Sequence, residues 1–135
     1  MITAGDVPEY QFLVGGEWRT NPEPREVRFP YTGETIARVH QAAEADLDDA
    51  AGMAAEAFET TRHLSSAARS RILSAIADQV ESRAAELAGI LVLEGGKTRS
   101  FAAVEVQRAV ATLRTSAEEA KRIGGEVIPL DWTEG

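Results

Sequence analysis

Residues 65–124 set the terms on which the rest of this chain can fold. They contain no proline, and their only glycines before Gly124 are Gly89 and the pair Gly95-Gly96. Ala, Leu, Ile, Val, Glu and Arg dominate the stretch, and most of these lose little freedom in a helix. Ile72, Leu73, Ile76 and Val80 recur at three- and four-residue steps, as do Leu87, Ile90 and Leu91 after a short break. Val106, Val110, Leu113, Ala117 and Ala120 repeat the pattern beyond Glu94-Gly95-Gly96-Lys97. A period near 3.6 predicts helices that turn these stripes towards a core. Arg69, Arg71, Glu81, Arg83, Glu86, Arg108, Glu118, Glu119 and Lys121 fall between the stripes and suit the wet faces.

Boundaries follow from end chemistry. Ser65 or Ser66 can cap the first of these helices by accepting an orphan backbone N–H. It is expected to run to about Ser82, with a further segment to Glu94 and a break at Gly95-Gly96. Ser100 is the expected cap of the last long helix. Gly124 is its expected C′ residue, with Lys121 and Arg122 in the last turn, where positive charge suits the dipole. The helical period begins earlier still, at Glu44. Leu47, Ala50, Ala51, Ala54 and Phe58 form one stripe, Asp46, Asp48 and Asp49 fall in the first turns, and Arg62-His63 in the last.

Before Glu44 the period is nearer two. Residues 1–9 read as a polar, flexible leader. Tyr10 to Val14 is an expected strand, Gly15-Gly16 a turn, and Glu17-Trp18-Arg19 the returning strand. Two prolines and Asn21 make 20–24 a loop. Residues 26–30 alternate again, with Val27 and Phe29 on one face, and Tyr31-Thr32-Gly33-Glu34 turns into a third short strand at 35–40. The expected fold class is α+β and mainly helical: short N-terminal antiparallel strands over 10–40, three to four long helices over 44–124, and a tail at 125–135. Val127, Ile128 and Leu130 in that tail read as a possible short strand.

Composition narrows the function. The net charge of −8 argues against a nucleic-acid partner, since phosphate binding needs a basic face, and against an anionic membrane surface. No apolar run approaches a membrane span, and the N-terminus lacks the basic flank and apolar run of a signal peptide. A soluble, cytoplasmic protein is expected. With no cysteine, disulfides, thiolate metal sites and a cysteine nucleophile within the chain are excluded. His40 and His63 are each expected at the surface or a helix end, rather than as metal ligands. The acidic run Glu44-Asp46-Asp48-Asp49 reads as a charged helix start, because it has neither the glycine nor the spacing of a calcium loop.

Glu94-Gly95-Gly96-Lys97-Thr98 superficially resembles a phosphate loop. The first glycine of that motif is missing and the approach is helical, so a helix–helix turn is expected instead. Gly15-Gly16 has no third glycine and no following helix. No Ser/His/Asp arrangement emerges, and the carboxylate pairs lie on polar helix faces. The residues alone assign no catalytic group, no cofactor-binding group and no metal ligand.

A family resemblance adds what composition does not. Phe12-Leu13-Val14-Gly15-Gly16-Glu17-Trp18, then Pro30-Tyr31-Thr32-Gly33-Glu34-Thr35-Ile36-Ala37, then the alanine-rich helix from Glu44 through Phe58 appear in order. Arg69 to Ile72, Leu93-Glu94-Gly95-Gly96-Lys97, Glu105-Val106 with Ala117-Glu118-Glu119-Ala120, and Gly125-Glu126-Val127-Ile128-Pro129 complete the series. Each motif is weak alone. Seven in order resemble the N-terminal part of the NAD(P)-dependent aldehyde dehydrogenase superfamily. Tyr31, Gly95 and Thr115-Ser116 depart from the usual pattern.

The resemblance implies a parent enzyme several times longer than this chain, oxidising an aldehyde to an acid. In that family a cysteine attacks the aldehyde to give a thiohemiacetal, hydride passes to NAD or NADP, and water guided by a glutamate releases the acid. Those groups and the dinucleotide-binding glycines lie beyond the matched segment. The chain alone is therefore expected to be inactive, to bind no cofactor and to self-associate as a homo-oligomer. Two other readings stay open: an independent helical interaction or regulatory module, and one chain of a split dehydrogenase. The helix holding Val104 and Arg108 resembles the one that lines the substrate entrance tunnel. These two residues stand one turn apart and share a face. Arg108 would then meet an anionic or hydroxylated aldehyde; the plainer alternative is an ordinary arginine on a wet face.

Overall fold

In a computed structural model, which describes residues 7–130, the N-terminal third divides into two small sheets. β2 (Phe12–Val14) and β3 (Glu17–Arg19) form an antiparallel hairpin closed at Gly15-Gly16, with Val14 opposite Glu17. Gly15 sits at φ 57°, and a Cβ placed there would lie 2.0 Å from Met53 Sδ. Only glycine combines that backbone with so close a side chain.

The second sheet has the order β1-β5-β4, with β1 (Glu9–Tyr10), β4 (Arg25–Arg28) and β5 (Thr35–Val39). The expected strand over 10–14 is thus split at Gln11 between the two sheets, and Glu9, assigned to the leader, is paired. β1 also runs parallel to β5, with Glu9 opposite Arg38 and Tyr10 opposite Val39, whereas antiparallel pairing was expected throughout. The cause is topological. The chain between β1 and β5, residues 11–34, holds the hairpin and β4, and is long enough for the crossover that parallel neighbours need. β4 and β5 are antiparallel, with an irregularity between Val27 and Arg28 that leaves Phe29 outside the strand. Ile36 and its neighbour Ala37 are both buried, because central β5 is covered on both faces.

Four helices follow: α1 (Glu44–Thr61), α2 (Ser66–Ser82), α3 (Ala84–Gly95) and α4 (Arg99–Glu119). Ser65 caps α2, its hydroxyl accepting the Ala68 N–H at 3.2 Å. α4 packs against both α2 and α3, and carries four buried residues, Ala102, Val106, Val110 and Ala117. On α2 the buried residues are Ser70 and Ala77, while the expected Ile72 and Ile76 stand 49% and 44% exposed. Small side chains line the seam because they let the two backbones approach closely, and the larger isoleucines are turned out of it.

Other expectations are corrected at the helix ends and on α1. Thr98, not Ser100, caps α4 by accepting the Phe101 N–H at 3.4 Å. α4 stops at Glu119 rather than at Gly124. The N–H groups of Lys121 and Arg122 donate three residues back, to Glu118 and Glu119, which tightens the last turn and ends the helix. Lys121 and Arg122 therefore follow the helix, and Arg62-His63 likewise lies just past α1. No residue of α1 is buried, and Leu47 and Phe58 of its apolar stripe stay exposed. Of the expected strand near Val127, residues 125–130 form no paired element. The leader's first six residues and the end of the tail, 131–135, lie outside the described residues.

His40 is a further correction. It is neither at the surface nor at a helix end, but buried directly after β5. Its Nδ1 lies 2.9 Å from the Asn21 backbone nitrogen, which donates to it, and its Nε2 lies 2.8 Å from Glu9 Oε1. One imidazole thus ties the loop after β3 to the start of β1.

Candidate functional site

The most function-bearing surface is built by the turn between α3 and α4. Gly96 takes the left-handed conformation, φ 62°, and ends α3 while its N–H donates to Val92 C=O at 3.1 Å. Two residues on, Thr98 opens α4. The short reversal leaves Lys97 beside the first turns of that helix. It is the expected helix–helix turn, with no phosphate-loop geometry.

From Thr98 onward, Phe101, Val104, Glu105 and Arg108 recur at three- and four-residue steps, so one face of α4 carries them all. With Lys97 they line an open cleft of about 310 Å³. Phe101 is 71% and Val104 50% exposed, which makes the floor apolar and open. Lys97 Nζ pairs with a carboxylate oxygen of Glu105. Arg108 forms no ion pair among the described residues. Beyond it the same helix continues into a second concavity of about 350 Å³, lined by Arg108, Ala111, Thr112, Thr115 and Ser116. Arg108 thus stands between an apolar patch and a row of hydroxyls.

Val104 and Arg108, the residues singled out in the sequence, line the same cleft. Lys97, Phe101 and Glu105 were not singled out as site residues. Phe101 and Glu105 were legible in principle, by stepping back from Arg108 in threes and fours. Lys97 was not, because it reaches the cleft through the turn.

A larger apolar groove, about 490 Å³, lies between the end of α4 and the start of α2. Leu64, Ile72, Leu73, Ala120 and Ile123 line it, with Arg69 and Glu119 also at its walls. The acidic start of α1 is engaged from within the protein: Arg19 Nη1 meets Asp46 at 3.1 Å and Asp49 at 2.8 Å. No group of three metal-ligating side chains occurs among the described residues, and none of their helices is long and apolar enough to cross a membrane.

Neither glycine turn fits a dinucleotide. Gly15-Gly16 joins strand to strand and Gly95-Gly96 joins helix to helix, whereas a pyrophosphate cradle needs a strand leading into a helix N-terminus. The chain also lacks a thiol.

Comparison with known proteins accounts for this combination of a lined cleft and missing chemistry. The aldehyde dehydrogenase family profile matches residues 18–135. A 3-sulfolactaldehyde dehydrogenase of Priestia aryabhattai is 38% identical over 135 residues, covering 100% of this chain and 28% of that protein. The crystal structure of aldehyde dehydrogenase 21 from Physcomitrella patens, in complex with the reaction product succinate, superposes with a TM-score of 0.90 at 30% identity. That match covers 96% of this chain and 27% of the moss chain. The structure of PnpE in complex with nicotinamide adenine dinucleotide gives a TM-score of 0.85 at 31% identity, over 91% of this chain and 26% of that one. Solved relatives thus include a dinucleotide complex, and the chain spans about a quarter of the length of the proteins it matches. The sequence and its mainly helical fold correspond to their N-terminal segment: the chain belongs to the aldehyde dehydrogenase family.

Proposed function

We propose that this chain serves as the N-terminal segment of an NAD(P)-dependent aldehyde dehydrogenase whose substrate is a short aldehyde bearing an anionic group. The observation that carries the substrate class is Arg108, a guanidinium with no ion-pair partner among the described residues, on the wall of an open cleft, one turn from Val104. A guanidinium in that state binds a carboxylate or sulfonate through two parallel N–H donors. Two of the relatives support this, since sulfolactaldehyde carries a sulfonate and the product succinate keeps a second carboxylate beside the one formed, whereas others act on the uncharged lactaldehyde or benzaldehyde. The thiol, the water-activating base and the dinucleotide site come from outside these residues, so the chain contributes binding and orientation rather than a reacting atom.

Arg108→Leu in the whole protein tests the reading. The expected result is a KM raised about tenfold or more for an acidic aldehyde, with a neutral aldehyde of equal length little affected. Equal loss on both would overturn the charge assignment.

The open apolar faces support a second part of the proposal. Ile72 and Ile123 around the large groove, and Leu47 and Phe58 on α1, are exposed among the described residues, and Leu64 and Leu73 are only half-buried. In a longer family protein the remaining chain covers them. In the 135-residue chain by itself, a second copy does so, and the chain self-associates.

A further inference from the structure

Glu105 poses a problem for the site as read. It lines the same cleft as Arg108, carries the wrong charge for an anionic substrate, and precedes Arg108 by three residues on α4. Opposite charges at that spacing are natural partners. Elsewhere this chain pairs them: Glu59 with Arg62, Arg83 with Glu86, Glu118 with Lys121, and Glu119 with Arg122. Glu105 and Arg108 do not pair, because Glu105 is held by Lys97 from the other side.

We propose that Lys97 is a positioning residue that sets substrate specificity: by holding Glu105 it keeps the Arg108 guanidinium free for the anionic end of the aldehyde. This rests on the reading of Arg108 given above. The Lys97–Glu105 pair is exposed, 40% and 48%, so little stability follows from it. Its consequence is the allocation of charge. With Lys97 and Glu105 compensating each other, the cleft presents one net positive charge, and Arg108 carries it. Without Lys97, Glu105 turns to Arg108, and the substrate anion must displace an internal carboxylate.

The α3–α4 turn sets this arrangement up. Left-handed Gly96 reverses the chain and packs on Pro30, with only 3.5 Å between the Pro30 Cβ and the place a Gly96 side chain would begin. The Lys97 stem folds back over Gly95, its Cγ 3.7 Å from the corresponding point there. The ammonium is thereby directed to Glu105 on the second turn of α4.

The test compares Lys97→Met with the double variant Lys97→Met/Glu105→Gln. In the whole protein, the single variant should raise KM for an acidic aldehyde roughly three- to tenfold, with kcat and the neutral aldehyde unchanged. The double variant should return KM to within about twofold of wild type, since no carboxylate is left to compete. An unchanged KM in the single variant overturns the proposal. So does a double variant as poor as the single one, which would place Lys97 itself on the anion. A binding readout on the 135-residue chain separates this from the dehydrogenase reading. Methanesulfonate is titrated against the Arg108 Nε–Hε NMR signal, with dimethyl sulfone as neutral control. A saturable shift, lost in Lys97→Met and regained in the double variant, supports the proposal even if no aldehyde is oxidised. A shift that persists in Lys97→Met overturns this proposal alone, and no shift in wild type overturns the role of Arg108 with it.

Discussion

The Arg69 guanidinium, on the first turn of α2, donates from Nη2 to the carbonyl of Thr61 at 3.1 Å, the last residue of α1. The same nitrogen reaches the Arg62 carbonyl at 3.0 Å, and Nε reaches that of Leu64 at 3.2 Å. The final carbonyls of a helix have no partner within it. Here a single arginine from the next helix binds one of them, that of Thr61, together with the carbonyls of Arg62 and Leu64 in the connecting turn, and so ties the two helices together.

Arg69→Met, which keeps most of the apolar stem, should therefore destabilise the chain by about 1–3 kcal/mol in chemical denaturation. Arg69→Lys should recover only part of this, because one ammonium does not span three carbonyls. Hydrogen exchange should quicken first in the last turn of α1. An unchanged denaturation midpoint in Arg69→Met would show that water replaces the guanidinium without cost.

At the other end of α1, Asp46 accepts the Ala43 N–H at 2.9 Å and the Arg19 guanidinium at 3.1 Å. The backbone N–H first, and Arg19 second, hold its carboxyl below the ordinary value of 3.8. Glu86 is similarly lowered by its bond to Arg83. A depressed carboxyl favours the folded state above the unfolded pKa, and that contribution disappears as pH falls through the folded value. Asp46→Asn should thus lower Tm at neutral pH, and the gap from wild type should close as pH falls below the ordinary carboxylate value of 3.8 and through the lower folded value. Thermal melts across that window check it. A gap that stays constant would mean the asparagine fails for steric reasons.

Self-association has a simple measure. Burying even ~400 Å² of apolar surface is worth about 10 kcal/mol at roughly 25 cal/mol per Å², which rivals the stability of a small domain. Light scattering of the 135-residue chain at micromolar concentration should give a mass above that of the monomer. A strict monomer would count against a second copy on these faces.

Much of the architecture was legible from local chemistry. The Gly15-Gly16 hairpin, the turn at Gly95-Gly96, the Ser65 cap and the four helices follow from φ preferences, capping and the 3.6 period, which act within a few residues. The α4 stripe of Val106, Val110 and Ala117 was equally legible, because one face of a long helix records what it packs against. The division of 9–14 between two sheets was not, since periodicity says nothing of which strand another will meet. Nor was the end of α4, where the chain turned at Glu119 before reaching the glycine that looked like its stop.

The candidate site divides along the same line. Its residues on α4 share a helical repeat, so the sequence by itself determined that Val104 and Arg108 face one way, and the order of motifs determined the family. Only the tertiary structure decided that Lys97 takes Glu105 and leaves Arg108 without an ion pair among the described residues. It alone decided that His40 is buried between Asn21 and Glu9, and that Ser70 and Ala77 rather than Ile72 and Ile76 enter the seam. Side-chain pairing across a turn and the choice of packing face depend on distances between elements, and no local pattern of residues encodes those distances.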